Sequence, residues 1–147
     1  MPKNIIALDY GRSRIGVAIA SLELLLPLPK ETLAVKGLSM DLAIQKTVAF
    51  LRDLDPAEIV IGMPLELSGR EGPMGIEARR FGDGIARHMA DVKISFLDER
   101  LSSKAADRLL RERGMRRKQR DQRSDLVAAC QILSDFIGFR ANGSLPL

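Results

Sequence analysis

Few of the residue types that most often carry chemistry are present. The 147 residues include one cysteine, Cys130, and one histidine, His88, so there is no internal disulfide and no His/Cys cluster of metal-ligand spacing. Aromatic residues are only 4% of the chain, which argues against a platform on which the bases of a single strand could stack. No Walker-type phosphate loop occurs. No apolar run reaches the length of a membrane span and no secretory signal is recognisable, so a soluble, cytoplasmic protein with no membrane partner is expected.

What is there is an ordinary core and an uneven distribution of charge. Hydrophobic residues make up 46% of the chain, enough to bury a core in a single domain spanning 1–147. The net charge is +4, but between Arg100 and Arg123 ten bases face only three acids. That segment therefore carries +7 and the remainder −3. Such clustering suits a polyanionic partner, and a solvated basic face is the alternative. Its densest part, RRKQRDQR at 116–123, has the arginine content suited to forked phosphate contacts.

Periodicity predicts a mixed fold. Asn4–Gly11 and Arg14–Ser21 are β-branched and aliphatic runs about a short turn, which form a hairpin, and a third strand is expected over Glu31–Lys36 after Pro27 and Pro29. Ser39–Leu54 has helical spacing with Ser39 as N-cap, followed by a short strand over Glu58–Gly62. The stretch PLELSGREGPMG reads as a loop. A helix over Ile76–Ala90, weakened by Gly82 and Gly84, a strand over Lys93–Leu101 and helices over Ser102–Arg113 and Ser124–Gly138 complete the order. Three antiparallel strands followed by strands that alternate with helices imply a mixed α/β sheet.

Three acidic positions stand out against this pattern. Asp9 ends an apolar strand in ALDYGRSRIGVAIA, sharing a face with Ile5 and Ala7, while Ile6, Leu8 and Tyr10 take the other. In KISFLDERL, Asp98 falls with Ile94 and Phe96 and Glu99 with Ser95 and Leu97, so only one of them can share the side of Asp9. Asp125 heads a helical stripe of Ala128, Ala129, Ile132 and Phe136. Each has a simpler account: a hairpin hydrogen bond for Asp9, ion pairing to Arg100 for the strand acids, capping for Asp125. Together, in a chain with a phosphate-seeking segment, they suit a hard divalent cation, which takes oxygen ligands and works alongside substrate phosphates.

Four blocks in order, ALDYGRSRIGVAIA, IVIGMPLELSGREGP, FLDERLSS and SDLVAACQIL, resemble the YqgF family, also called RuvX, of Holliday junction resolvases and pre-16S ribosomal RNA nucleases. The resemblance spans nearly the whole chain. It implies an RNase H-like five-stranded sheet, three strands antiparallel and two parallel, with helices on both faces. It also implies that Asp9, Glu99 and Asp125 are catalytic and bind Mg²⁺ or Mn²⁺, selecting Glu99 over Asp98. Such enzymes often use four acids, of which three are matched here. Arg14, Gly62, Pro64, Gly69, Glu71, Gly72 and Arg100 match further motif positions.

The candidate nucleic-acid contacts are accordingly Arg14, Arg70, Arg100, Arg116, Arg117, Lys118, Arg120 and Arg123. Gly69, Gly72 and Gly75 with Arg70 could let backbone amides approach a phosphate, or could simply make turns. His88 is expected at a partly exposed helix position and Cys130 in the core or an interface, neither of them catalytic. The resulting expectation is a two-metal endonuclease maturing the 5′ end of precursor 16S ribosomal RNA, as a monomer or homodimer, with RNA or a ribosomal particle as partner. Two alternatives are a resolvase of branched DNA and a non-catalytic RNA-binding assembly factor.

Overall fold

The computed structural model describes residues 2–99 and 122–143. Five strands form one sheet: β1 (Asn4–Asp9), β2 (Arg14–Ser21), β3 (Leu28–Ala34), β4 (Pro56–Met63) and β5 (Lys93–Asp98). Their spatial order is β3-β2-β1-β4-β5. The first three pair antiparallel, and β4 and β5 run parallel to β1, as the sequence predicts. The described helices are α1 (Met40–Arg52), α2 (Pro73–His88) and α3 (Gln122–Ala141). The helix expected over Ser102–Arg113 lies outside the described residues.

The alternation within the strands separates two cores. Ile6, Leu8, Ile15, Val17, Ile59 and Ile61 point to one face, where Ile44, Val48 and Leu51 of α1 and Phe81 and Ile85 of α2 cover them. Ile5, Ala7, Ala18, Ala20, Val60 and Leu97 point to the other, under Ala129, Ile132, Leu133 and Phe136 of α3. β1 is therefore buried on both faces, which is why it reads as a continuous apolar run. The three alanines on the second face let α3 lie close to the sheet.

Local signals set the helix ends. Ser39 caps α1, its hydroxyl accepting from the Leu42 amide at 3.2 Å, with Asp41 in the first turn and Arg52 in the last. α2 begins three residues before the expected Ile76, because Pro73 opens it with Gly72 as N-cap. A proline at the first helical position lacks only an amide that would have no partner inside the helix, so it starts α2 where the loop reading continued.

Strand boundaries also differ: β1 stops at Asp9 instead of Gly11, and β4 runs from Pro56 to Met63 instead of Glu58 to Gly62. β3 begins at Leu28 and ends at Ala34, earlier than expected, and includes Pro29 opposite Ala18 at a register shift. An edge strand tolerates proline because the missing amide would face away from its only partner. β5 stops at Asp98, short of the expected Leu101.

The far end of α3 is fastened to the sheet by a buried acid. Glu58, 7% exposed, accepts from both terminal nitrogens of Arg140 at 2.7 and 2.6 Å and from the Ser95 hydroxyl at 3.0 Å. The Arg140 guanidinium also lies over the Phe136 ring, 4.4 Å from its centre.

Candidate active site

The site is built around the end of β1. Asp9 lies opposite Gly16 of β2. On the other side, Leu8 pairs with Ile61 of β4, which brings Gly62 to the next position along. Two glycines thus flank the acid at the end of the central strand.

Both glycines leave space that an acidic residue fills. A Cβ at position 16 would collide with the carbonyl oxygen of Asp125 and come within 3.4 Å of its Cβ. A Cβ at position 62 would run into a carboxylate oxygen of Glu99 and lie 2.7 Å from the Ile132 Cδ1. α3 thereby sets Asp125 over β2, and the end of β5 sets Glu99 over β4, on the face that carries Ile5 and Ala7. Glu99 is on the α3 side of the sheet, near the position of Gly62 that Ile132 also approaches. Both acids are buried, Asp98 at 5% exposure and Glu99 at 3%.

Arg14, at the start of β2, puts its Nε 2.7 Å from Asp125 Oδ2. It belongs to the acidic site and neutralises part of its charge. Among the described residues, no three His, Cys, Asp or Glu side chains are gathered closely enough to hold a metal ion as they stand. The acids share a face and have the oxygen donors a hard cation prefers, in a cradle that side chains at 16 and 62 would fill.

The loop between β4 and α2 is a small hairpin in its own right. Leu65 bridges Glu71, the Glu66 amide donates to the Arg70 carbonyl at 2.9 Å, and the Gly69 amide donates to the Glu66 carbonyl at 2.8 Å with Gly69 at φ +93°. Of the amides that a phosphate nest at Gly69, Gly72 and Gly75 would use, that of Gly69 is therefore engaged within the loop. The Glu66 carboxylate also sits against Gly72, where a Cβ would lie 3.1 Å from its oxygen, so an acid of the loop itself stands at the N-terminus of α2. Arg70 pairs with Glu66 at 3.3 Å and remains largely in solvent. Arg79 pairs with Glu71 at the base of the loop.

Of the other basic candidates, Arg100, Arg116, Arg117, Lys118 and Arg120 lie outside the described residues, and Arg123 is placed only as part of the α3 backbone. His88 is exposed at the end of α2, its Nδ1 2.9 Å from the Gly84 carbonyl oxygen. Cys130 lines an apolar cleft of about 630 Å³ with Pro27, Pro29, Leu126 and Val127. Burial pushes its thiol up, away from the reactive thiolate.

Sequence reasoning missed the partners that hold this region in place. Glu77 of α2 grips Tyr10 and Arg12 in the turn immediately after Asp9. Arg140 and Glu58 anchor the opposite end of the helix that carries Asp125. Such pairs join residues 65 and 82 positions apart, and no local spacing announces them. Gly16 was the available signal, since a glycine inside a β-branched strand marks close approach of another group.

An α/β sheet of this order, covered on both faces, with an acid at the end of its central strand, defines an RNase H-like fold. The chain belongs to the RuvX family, whose model, described as Holliday junction resolvase, matches residues 3–138. A relative from Roseiflexus sp. (strain RS-1), named "Putative pre-16S rRNA nuclease", is 35% identical over 92% of this chain and 94% of its own length. One of the same name from Streptomyces avermitilis is 33% identical over 96% of this chain and 90% of its own. Among solved structures, Thermus thermophilus RuvC in complex with a Holliday junction substrate superposes with a TM-score of 0.63 over 99% of both chains at 12% identity, a likeness of fold.

Proposed function

We propose that this chain is a divalent-metal-dependent endonuclease that hydrolyses phosphodiester bonds in the 5′-end maturation of precursor 16S ribosomal RNA. The observation that carries the reading is the placement of Glu99 and Asp125 over the two glycines beside Asp9. The names of relatives aligned along nearly their full length supply the substrate class.

Asp9, Glu99 and Asp125 would hold Mg²⁺ or Mn²⁺. Such ions, in a two-metal arrangement, supply an activated water and stabilisation of the leaving oxygen in an in-line displacement. The chain's own residues do the rest. The strand alternation puts Asp9 and Glu99 on one face, α3 sets Asp125 over Gly16 on that same face, and Arg14 balances charge on Asp125. The cationic segment 100–123 would bind the RNA backbone, with Arg116, Arg117, Lys118, Arg120 and Arg123 taking phosphates.

The test is cleavage of labelled precursor 16S RNA and of a four-way DNA junction, with and without Mn²⁺, by the parent protein and by Asp9→Asn, Glu99→Gln and Asp125→Asn. The parent should cut the RNA only with metal. Each variant should lose about 10²–10³-fold in rate while its RNA affinity stays near that of the parent. Faster cutting of the junction would assign the resolvase activity described for the family model. Cleavage unaltered in all three variants, or absent from the parent, would leave an RNA-binding assembly role and overturn the nuclease reading.

A further inference from the structure

The turn that follows Asp9 is held from two sides. On the β3 side, the Val35 amide donates to the Ser13 carbonyl at 2.9 Å. On the α2 side, Glu77 accepts from the Tyr10 hydroxyl at 3.2 Å and from Arg12 Nε at 2.9 Å on Oε2 and 3.1 Å on Oε1, and Arg12 Nη2 also donates to Oε2. Tyr10 lies with its ring centre 4.9 Å from that of Phe81 on the same helix. Gly11 closes the turn, where a Cβ would lie 2.7 Å from the Arg14 carbonyl oxygen.

This grip has a directional consequence. Tyr10, the first residue past β1, packs on the α2 side, while Asp9, the last residue of β1 on the face of Ile5 and Ala7, points to the α3 side, where Asp125 and Glu99 are; holding Tyr10 therefore fixes the chain direction immediately after Asp9. Glu77 itself is on the far side of the sheet from those acids and touches none of the groups proposed to meet substrate. It lines a separate cleft of about 390 Å³ with Tyr10, Arg12, Ser39 and Arg80. As a stabilising ion pair it counts for little, because Arg12 is 64% exposed and water screens it.

We infer that Glu77 is a positioning residue for the acidic site: through Tyr10 and Arg12 it locks the 10–13 turn and so orients Asp9 toward the cation. The inference rests on the metal reading of Asp9 proposed above. It assigns a role to a residue that no sequence motif singles out.

The experiment titrates Mn²⁺ into the metal-free protein by calorimetry, alongside thermal melts and hydrogen exchange at the 11–13 amides. Glu77→Ala should weaken Mn²⁺ binding by about tenfold, as expected when an outer support of a metal ligand is removed, and should speed exchange in the turn with little change in melting temperature. Glu77→Gln keeps one acceptor oxygen, which can still take the Tyr10 hydroxyl and Arg12 Nε, and loses the acceptor for Arg12 Nη2, so its Mn²⁺ affinity should fall clearly less than that of Glu77→Ala. Tyr10→Phe keeps the ring on Phe81, loses only the hydroxyl bond, and should shift affinity in the same direction as Glu77→Ala by a smaller factor. Equal losses in Glu77→Ala and Glu77→Gln would assign the effect to charge alone and overturn the inference. Parent-like Mn²⁺ affinity in Glu77→Ala, with binding lost in Asp9→Asn, would overturn it while leaving the metal reading intact. Unaltered binding in both variants would overturn the metal role of Asp9 and the positioning role with it.

Discussion

Gly16 of β2 and the backbone of Asp125 in α3 touch, with no room for a methyl group between them. The obstruction at position 16 is a helix carbonyl, which can give way only if the start of α3 moves. At position 62 it is the end of a flexible carboxylate and a methyl of Ile132. The two substitutions should therefore separate. Gly16→Ala should cost about 1–3 kcal/mol of stability, as overpacking does, and should lower RNA cleavage by displacing Asp125. Gly62→Ala should cost less stability yet also lower cleavage, because Glu99 is what must move. Gly138, with nothing within 4 Å of its Cβ position, is the control: Gly138→Ala should gain about 0.5–1 kcal/mol from helix propensity. Thermal melts and cleavage rates on the three variants check the pattern.

If Asp125 holds the proposed cation, Arg14, whose Nε lies 2.7 Å from Asp125 Oδ2, would stand against it there. The pair is partly exposed, so its contribution is at most about 1 kcal/mol. Arg14→Gln should accordingly leave stability nearly unaltered and tighten Mn²⁺ binding by up to about fivefold, the factor that such an energy represents. Weaker binding in the variant would mean that the guanidinium supports the metal site instead of guarding it.

The pattern of the sheet was legible because period-two alternation is local: Ile6, Leu8 and Tyr10 on one face and Ile5 and Ala7 on the other could be read from six consecutive residues. The same alternation narrowed the strand acids to one of two without choosing between them, since the choice depends on which helix covers which face. Gly82 and Gly84 counted against α2 in the sequence, yet they are what lets it pack: a Cβ at 82 would strike Ile61 and Phe96, and one at 84 the side chain of Ile44. Propensity gave way to tertiary contact. Pro29 and Pro73 were both taken as punctuation, and each is instead inside an element at the one kind of position where its missing amide costs nothing. The anchors Glu77 and Arg140 were invisible for a different reason, because their partners are supplied by a distant turn and a distant strand.

If the 116–123 segment follows the RNA backbone, its charge should appear in the salt dependence of binding. Replacing Arg116, Arg117 and Lys118 with alanine should weaken RNA affinity and reduce the slope of log K against log[salt] by about 2, since each phosphate contact on a single strand contributes about 0.7. Cleavage at saturating RNA should be retained, because none of the three is among the acids. A slope equal to that of the parent would assign these charges to solvent.

The Glu58–Arg140 contact should show itself as a pH-dependent part of stability. Burial alone would raise the Glu58 carboxyl, but hydrogen bonds from Arg140 and Ser95, with the nearby Arg140 and Lys93 charges, outweigh it and hold the group below its usual value of 4.5. A carboxyl depressed in the folded state contributes stability above its unfolded pKa and loses it as pH falls through the lower folded value. Arg140→Met removes the two guanidinium bonds and leaves burial as the larger influence, so the variant carries a poorly compensated buried charge at neutral pH that protonation relieves. The loss at pH 7 should be about 1–2 kcal/mol, toward the low end for a charged hydrogen bond because the Arg140 side chain is 42% exposed and screened. Urea unfolding at neutral pH and again below about pH 4 should show the gap between parent and variant narrowing on the acid side. Mn²⁺ binding should be little altered, since fifteen residues of helix, about 22 Å, separate Arg140 from Asp125. A gap of constant size across this range would show that Arg140 acts through its stacking on Phe136 and not through the carboxylate.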